Sequence, residues 1–84
     1  MTVRIFGRLR KALATDAMQL EASTVGEALG FLRARLDPRD AEAQGMLDQA
    51  VILVNGRNVR SLAGDLTALG EEDEMTVLQQ VAGG

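Results

Sequence analysis

The chain has 84 residues, 46% hydrophobic and 25% charged, with 9 Lys and Arg against 12 Asp and Glu for a formal net charge of −3. That composition predicts one soluble globular domain with a single small core, burying roughly 60–65% of its unfolded surface. The acidic balance argues against nucleic acid, which calls for a basic footprint, and the lack of Cys and His excludes disulfides, thiolate or imidazole metal sites and thiol chemistry.

In residues 2–9, Val3 and Ile5 share one face while Arg4, Phe6 and Arg8 share the other, which predicts a strand with Phe6 as the odd member of a polar face. Residues 8–14 suit a short helical turn, with Leu9 and Leu13 at i and i+4. Met18, Leu20 and Ala22 alternate with Gln19 and Glu21, a second strand that pairs with the first as a wide hairpin. Thr24 and Glu27 have the spacing of a capping box, in which the Glu27 carboxylate reaches back to the Thr24 amide. Val25, Ala28, Leu29, Leu32 and Leu36 continue as one helical stripe, with Arg33 and Arg35 toward water, until Pro38 stops the helix.

Residues 40–49 predict a second helix capped by Asp40, with Ala43, Met46 and Leu47 inward. Ala50 to Val54 is continuously apolar, as in a strand buried on both faces or nearly so. Asn55-Gly56 is a turn signal, and an edge strand over residues 57–60 returns along it. Leu62, Leu66 and Leu69 are expected to fill one end of the core. Glu71 to Glu74 reads as a solvated turn without calcium-loop spacing. Met75 to Leu78 is the last strand, with Met75 and Val77 on one face and Thr76 and Leu78 on the other.

The order β-β-α-(α)-β-β-β predicts an α+β fold, a mixed sheet of four to five strands with the main helix across one face. Leu20, Leu29, Leu32, Val54 and Val77 are expected in the core. Phe6 and Leu78 then point to the open sheet face, where they can form an apolar docking patch. Arg8, Arg10 and Lys11 form a basic cluster that is either solvated or set against an acidic rim of a partner. Gly7 and Gly26 lack the context of a phosphate-binding loop. No stretch approaches the ~20 apolar residues of a membrane span, and residues 1–6 do not resemble a secretory signal, so a cytoplasmic protein is expected.

The chain ends Val81-Ala82-Gly83-Gly84. Gly loses the most backbone entropy on ordering, so two of them favour a thin arm over a helix or strand. Read alone, such an end is a frayed terminus. As an arm it presents an α-carboxylate through residues slim enough for a narrow tunnel. That carboxylate is anionic at neutral pH and a poor electrophile until a leaving group is attached.

The element order, the Val54-Asn55-Gly56 turn and the Val81-Ala82-Gly83-Gly84 end together resemble the MoaD/ThiS family of ubiquitin-like sulfur carriers. Arg10 to Asp16 looks like the segment after the first MoaD strand, and Leu66 to Met75 like the family's approach to its final strand. The resemblance implies a ubiquitin-like β-grasp domain over residues 1–80 and a flexible reactive tail over 81–84. A ubiquitin-activating-like adenylyltransferase uses ATP to turn the Gly84 carboxylate into an acyl adenylate whose acyl carbon no side chain hinders, with Gly83 keeping the reactive end slim. A persulfide donor then supplies sulfur for a thiocarboxylate. The carrier itself holds no permanent cofactor and no metal and is not a catalyst on its own. Partners are implied to bind Phe6, Leu78, Val81 and Ala82, with no nucleic acid and no membrane involved.

The body, with its extra helix near residues 40–49, resembles MoaD, which makes the large subunit of molybdopterin synthase the first acceptor to consider. Leu78-Gln79-Gln80-Val81 replaces the usual MoaD prolines and looks more like ThiS, the thiamin carrier, so another pathway remains open. A protein modifier conjugated to lysines and a ubiquitin-like interaction module are the alternatives.

Overall fold

Residues 1–79 are described by the computed structural model. Alternation and capping resolve into β1 (Thr2–Ile5), α1 (Leu9–Leu13), β2 (Ala17–Gln19), α2 (Val25–Arg35), α3 (Ala41–Asp48), β3 (Val51–Val54), β4 (Arg57–Asn58) and β5 (Glu74–Leu78), with 3-10 turns at Val59–Ser61 and Gly64–Leu66. The strands form one mixed sheet in the order β2-β1-β5-β3-β4. At its centre β1 and β5 run parallel, with Thr2 opposite Glu74 and Ile5 opposite Val77. The other neighbours are antiparallel. This is the expected β-grasp.

One face of the sheet is the core face. Val3 and Ile5 of β1, Met75 and Val77 of β5, and Ile52 and Val54 of β3 are buried in one cluster with Val25, Ala28 and Leu32 of the main helix and Leu36 at its C-cap. Alternation along each strand therefore sets the whole inner surface. Leu9 and Leu13 of α1 and Ala43 and Leu47 of α3 close the same core. Leu20 and Leu29, expected inside, are only partly buried against it. Leu20 lies just past the short edge strand β2, which ends at Gln19, and Leu29 sits at the margin of the α2 stripe.

The start of α2 differs from the capping box in one bond. Thr24 Oγ1 accepts from the Glu27 amide at 3.2 Å, as expected. The Glu27 carboxylate, however, accepts from the Ser23 amide at 3.3 Å, not from that of Thr24. Thr24 is held in an isolated bridge with Ala68, which keeps the entering chain extended and leaves the Ser23 amide toward the helix. Asp40 caps α3 by accepting from Ala43 N–H at 3.0 Å. Arg33 is exposed but not idle. It donates to the Gln44 side chain at 3.1 Å and pairs with the Asp48 carboxylate, tying α2 to α3.

Three further expectations are corrected. The run 50–54, expected to be buried on both faces or nearly so, is buried on one: Ile52 and Val54 are buried while Val51 and Leu53 are only half-buried. The strand after Asn55-Gly56 stops at Asn58, whose side chain accepts from Arg60 N–H at 2.9 Å and starts a 3-10 turn. Leu66 fills no core and is 80% exposed. Its turn lays backbone against α2 instead: a Cβ built on Gly26 would lie 3.2 Å from the Asp65 carbonyl oxygen.

Asn55 and Gly56 have φ of 51° and 83°, the two left-handed residues of a type I′ hairpin turn. The Asn55 side chain also ties this turn to β5, accepting from Glu74 N–H at 3.0 Å and donating to Asp73 Oδ1 at 2.9 Å. The other Asp73 oxygen accepts from Gly70 N–H at 2.7 Å. The Gly70 amide first, and Asn55 second, hold the Asp73 carboxyl below its ordinary value of 3.8.

A carboxyl lowered by folding stabilises the native state above its unfolded pKa, and that contribution is lost as pH falls through the folded value. Asp73→Asn is therefore expected to lower the melting temperature at pH 7, and the gap to the parent is expected to close below about pH 4. Melting curves from pH 7 down to pH 2 check this. A gap that stays constant with pH would show that the Asp73 charge contributes nothing.

Candidate functional site

Alternation sends one residue in two of each strand to the face opposite the core. On β5 these are Glu74, Thr76 and Leu78; on β1, Thr2 and Arg4; on β3, Val51 and Leu53. The β3–β5 register sets Val51 opposite Leu78 and Leu53 opposite Thr76. Phe6 lies one residue beyond β1, yet its N–H still donates to the Val77 carbonyl at 3.0 Å. Extending the β1–β5 register by that residue sets Phe6 beside Leu78. Phe6 is 47% exposed, and Leu78 and Val51 are half-buried.

Phe6, Leu78 and Val51 thus form an apolar row across three strands, with Leu53 behind it. The row stands at the end of the sheet where the chain leaves β5. Away from it the face turns polar: Arg4 Nε pairs with Glu74 Oε2 at 2.9 Å, and Gln19 donates to Thr2 Oγ1 at 2.8 Å. An apolar centre beside a polar rim is the anatomy of a protein–protein contact.

Phe6 and Leu78 are on the face expected for them. Val51 and Leu53 were missed because an unbroken apolar run carries no sign of which face is open; only the register with Leu78 and Thr76 reveals it. Val81, Ala82, Gly83 and Gly84 lie outside the described residues.

The basic cluster is partly engaged. Arg8 pairs with Glu42 at 2.8 Å, and Arg10 Nε donates to the Gly7 carbonyl at 3.0 Å. These residues line a groove of about 890 Å³ between α1 and α3, which also carries Asp40 and Glu42 and so presents both signs of charge. Among the described residues no cluster of His, Cys, Asp or Glu could hold a metal ion, and no helix is long and apolar enough to cross a membrane.

A search of curated proteins found no match. Among solved structures, the chain is similar to small archaeal modifier protein 1 of Methanosarcina acetivorans, at 29% identity and TM-score 0.78 over 99% of this chain and 94% of that one. It is similar to the HVO 2177 protein of Haloferax volcanii at 30% identity and TM-score 0.75, over 99% and 84% of the two chains. A chain of the Amycolatopsis orientalis BexX/CysO complex matches at 26% identity and TM-score 0.76, over 99% and 98%. The sequence pattern of the ThiS family matches residues 3–84. The chain belongs to the ThiS family, among ubiquitin-like sulfur carriers and modifiers.

Proposed function

We propose that this protein carries sulfur on the carboxylate of Gly84. The observation behind the reading is that the family match runs through residue 84, taking Gly83-Gly84 into the family pattern. A ubiquitin-activating-like adenylyltransferase docks on the Phe6–Leu78–Val51 row, while Val81 and Ala82 carry the tail into its active site. Four extended residues reach about 13–14 Å, enough to enter a buried site while the domain stays outside.

The Gly84 carboxylate attacks the α-phosphorus of ATP and displaces pyrophosphate. The terminal sulfur of a persulfide then attacks the acyl carbon and AMP leaves, forming an acyl disulfide. A thiol cleaves its S–S bond and supplies the two electrons, releasing the thiocarboxylate. The chain is the substrate of each step and supplies no catalytic side chain. Helix α3 supports a MoaD-type body, hence an acceptor like the large subunit of molybdopterin synthase; Gln79 and Gln80 support a thiamin-type acceptor.

The test is intact-mass analysis after incubating the chain with the adenylyltransferase, ATP, a persulfide donor and a thiol reductant. Replacement of one oxygen by sulfur is expected; an unchanged mass rejects the reading. The similarity to a small archaeal modifier protein favours a second outcome of the same activation, transfer of the acyl group to lysines. It would appear as conjugates of higher mass.

Docking is tested separately from folding. Leu78→Asp and Phe6→Asp are each expected to weaken adenylyltransferase binding at least tenfold, about 1.4 kcal/mol, because a charge must be desolvated in the apolar row. Circular dichroism should stay native. Loss of the native spectrum would make these residues core, and full binding would move the docking site elsewhere.

A further inference from the structure

The last rung of the β1–β5 ladder is made by a side chain. In a parallel pair, alternate amides of one strand bond alternate carbonyls of the other at even spacing. Thr2 N–H donates to the Asp73 carbonyl at 3.2 Å and Phe6 N–H to the Val77 carbonyl at 3.0 Å. The same alternation would aim the Arg8 amide at the main-chain carbonyl of Gln79. Instead, Arg8 N–H donates to the Gln79 side-chain oxygen Oε1, at 2.9 Å. Gln79 directly follows β5, which ends at Leu78, so its side chain takes over the ladder as the strand ends.

The opposite wall of this contact is shaped to receive it. Gly7 has φ of +78°, and a Cβ there would lie 2.8 Å from Gln79 Oε1 and 3.0 Å from Gln79 Cβ. Only glycine lets Gln79 lie this close to the loop. The Gly7 carbonyl is itself held by Arg10 Nε at 3.0 Å, which braces the loop. On its other side Gln79 borders a groove lined by Glu42, Gly45 and Met46 of α3. Gln79 is therefore held on the β1–α1 loop, beside the groove along α3.

We propose that Gln79 is a positioning residue: its amide oxygen, bonded to the Arg8 amide over Gly7, fixes where the tail leaves the sheet and so where the Gly84 carboxylate can be delivered. This rests on the carrier reading above. An arm anchored at its base searches a smaller volume than one that frays back into β5, and misplacement of a reacting atom by ~1 Å can cost about 100-fold in rate. The Gln79 side chain bonds the Arg8 amide and not a side chain of the docking row, so its loss is expected to act on turnover more than on binding.

The experiment is ATP–pyrophosphate exchange with the full chain as varied substrate of the adenylyltransferase, together with amide hydrogen exchange at Arg8. Gln79→Met keeps the length and removes the acceptor. It is expected to lower kcat about tenfold, leave KM within about twofold and deprotect the Arg8 amide. Gln79→Glu restores an acceptor oxygen and is expected to recover kcat to within about threefold of the parent, with Arg8 protected. Parental kcat for Gln79→Met, or equal impairment of both variants, overturns the positioning role while the carrier reading stands. Absence of exchange with the parent chain overturns the carrier reading itself.

Discussion

Deleting Gly84 is expected to abolish adenylation and sulfur loading while leaving the domain folded. The deletion keeps a terminal glycine, Gly83, and moves the carboxylate back by about 3.3–3.6 Å along an extended chain. A shift of ~1 Å can cost about 100-fold in rate, so this larger one is expected to cost at least that much. Among the described residues the buried core ends at Val77, so the melting curve is expected to stay within the ~0.5 kcal/mol typical of changes outside the core. ATP–pyrophosphate exchange followed by intact-mass analysis reads the result. Equal activity in the two chains would end the assignment of Gly84 as the reacting residue.

Truncating Leu32 to Ala should have the largest effect on the fold. Leu32 is fully buried on the middle of α2, among Val25, Ala28 and the inner face of the sheet. Removing its side chain loses transfer energy and leaves a cavity, together about 2–5 kcal/mol. A domain of this size has a total stability of roughly 4–13 kcal/mol. A drop of at least about 8 °C in melting temperature is therefore expected. An unchanged melting temperature would contradict the packing of α2 described above.

Periodicity and local chemistry made the framework legible. Thr24 and Asp40 cap their helices as their spacing implied, and Asn55-Gly56 forms the expected tight turn. The alternation of Val3 with Ile5, and of Met75 with Val77, reads directly as a buried face. Other features depend on tertiary partners that no local pattern records. Val51 and Leu53 look identical to Ile52 and Val54 in composition, and only pairing with β5 tells the open face from the closed one. Leu66 has a core-like spacing, yet the carbonyl of its neighbour Asp65 occupies the contact with α2. The Gln79 bond to Arg8 joins residues from the two ends of the chain, so neither neighbourhood announces it. Gly83 and Gly84 were singled out by residue type and by family resemblance, and their role rests on the chemistry and on the family match.

Because β1 and β5 are hydrogen-bonded neighbours in the middle of the sheet, β1 cannot complete its pairing until β5, some 70 residues later, has been made. Before residues 74–78 are made, β1 and β3 have no strand between them, and Val3, Ile5, Ile52 and Val54 lack Met75 and Val77 from their cluster. Contacts between opposite ends of a chain form late, since loop closure precedes any gain from them. An interrupted translation product would keep open strand edges and apolar surface, features that favour aggregation. Arrival of β5 completes the core and brings Leu78 between Phe6 and Val51 in the same event. With the docking proposed above, an enzyme that recognises the finished row engages only chains that already contain residues 74–78.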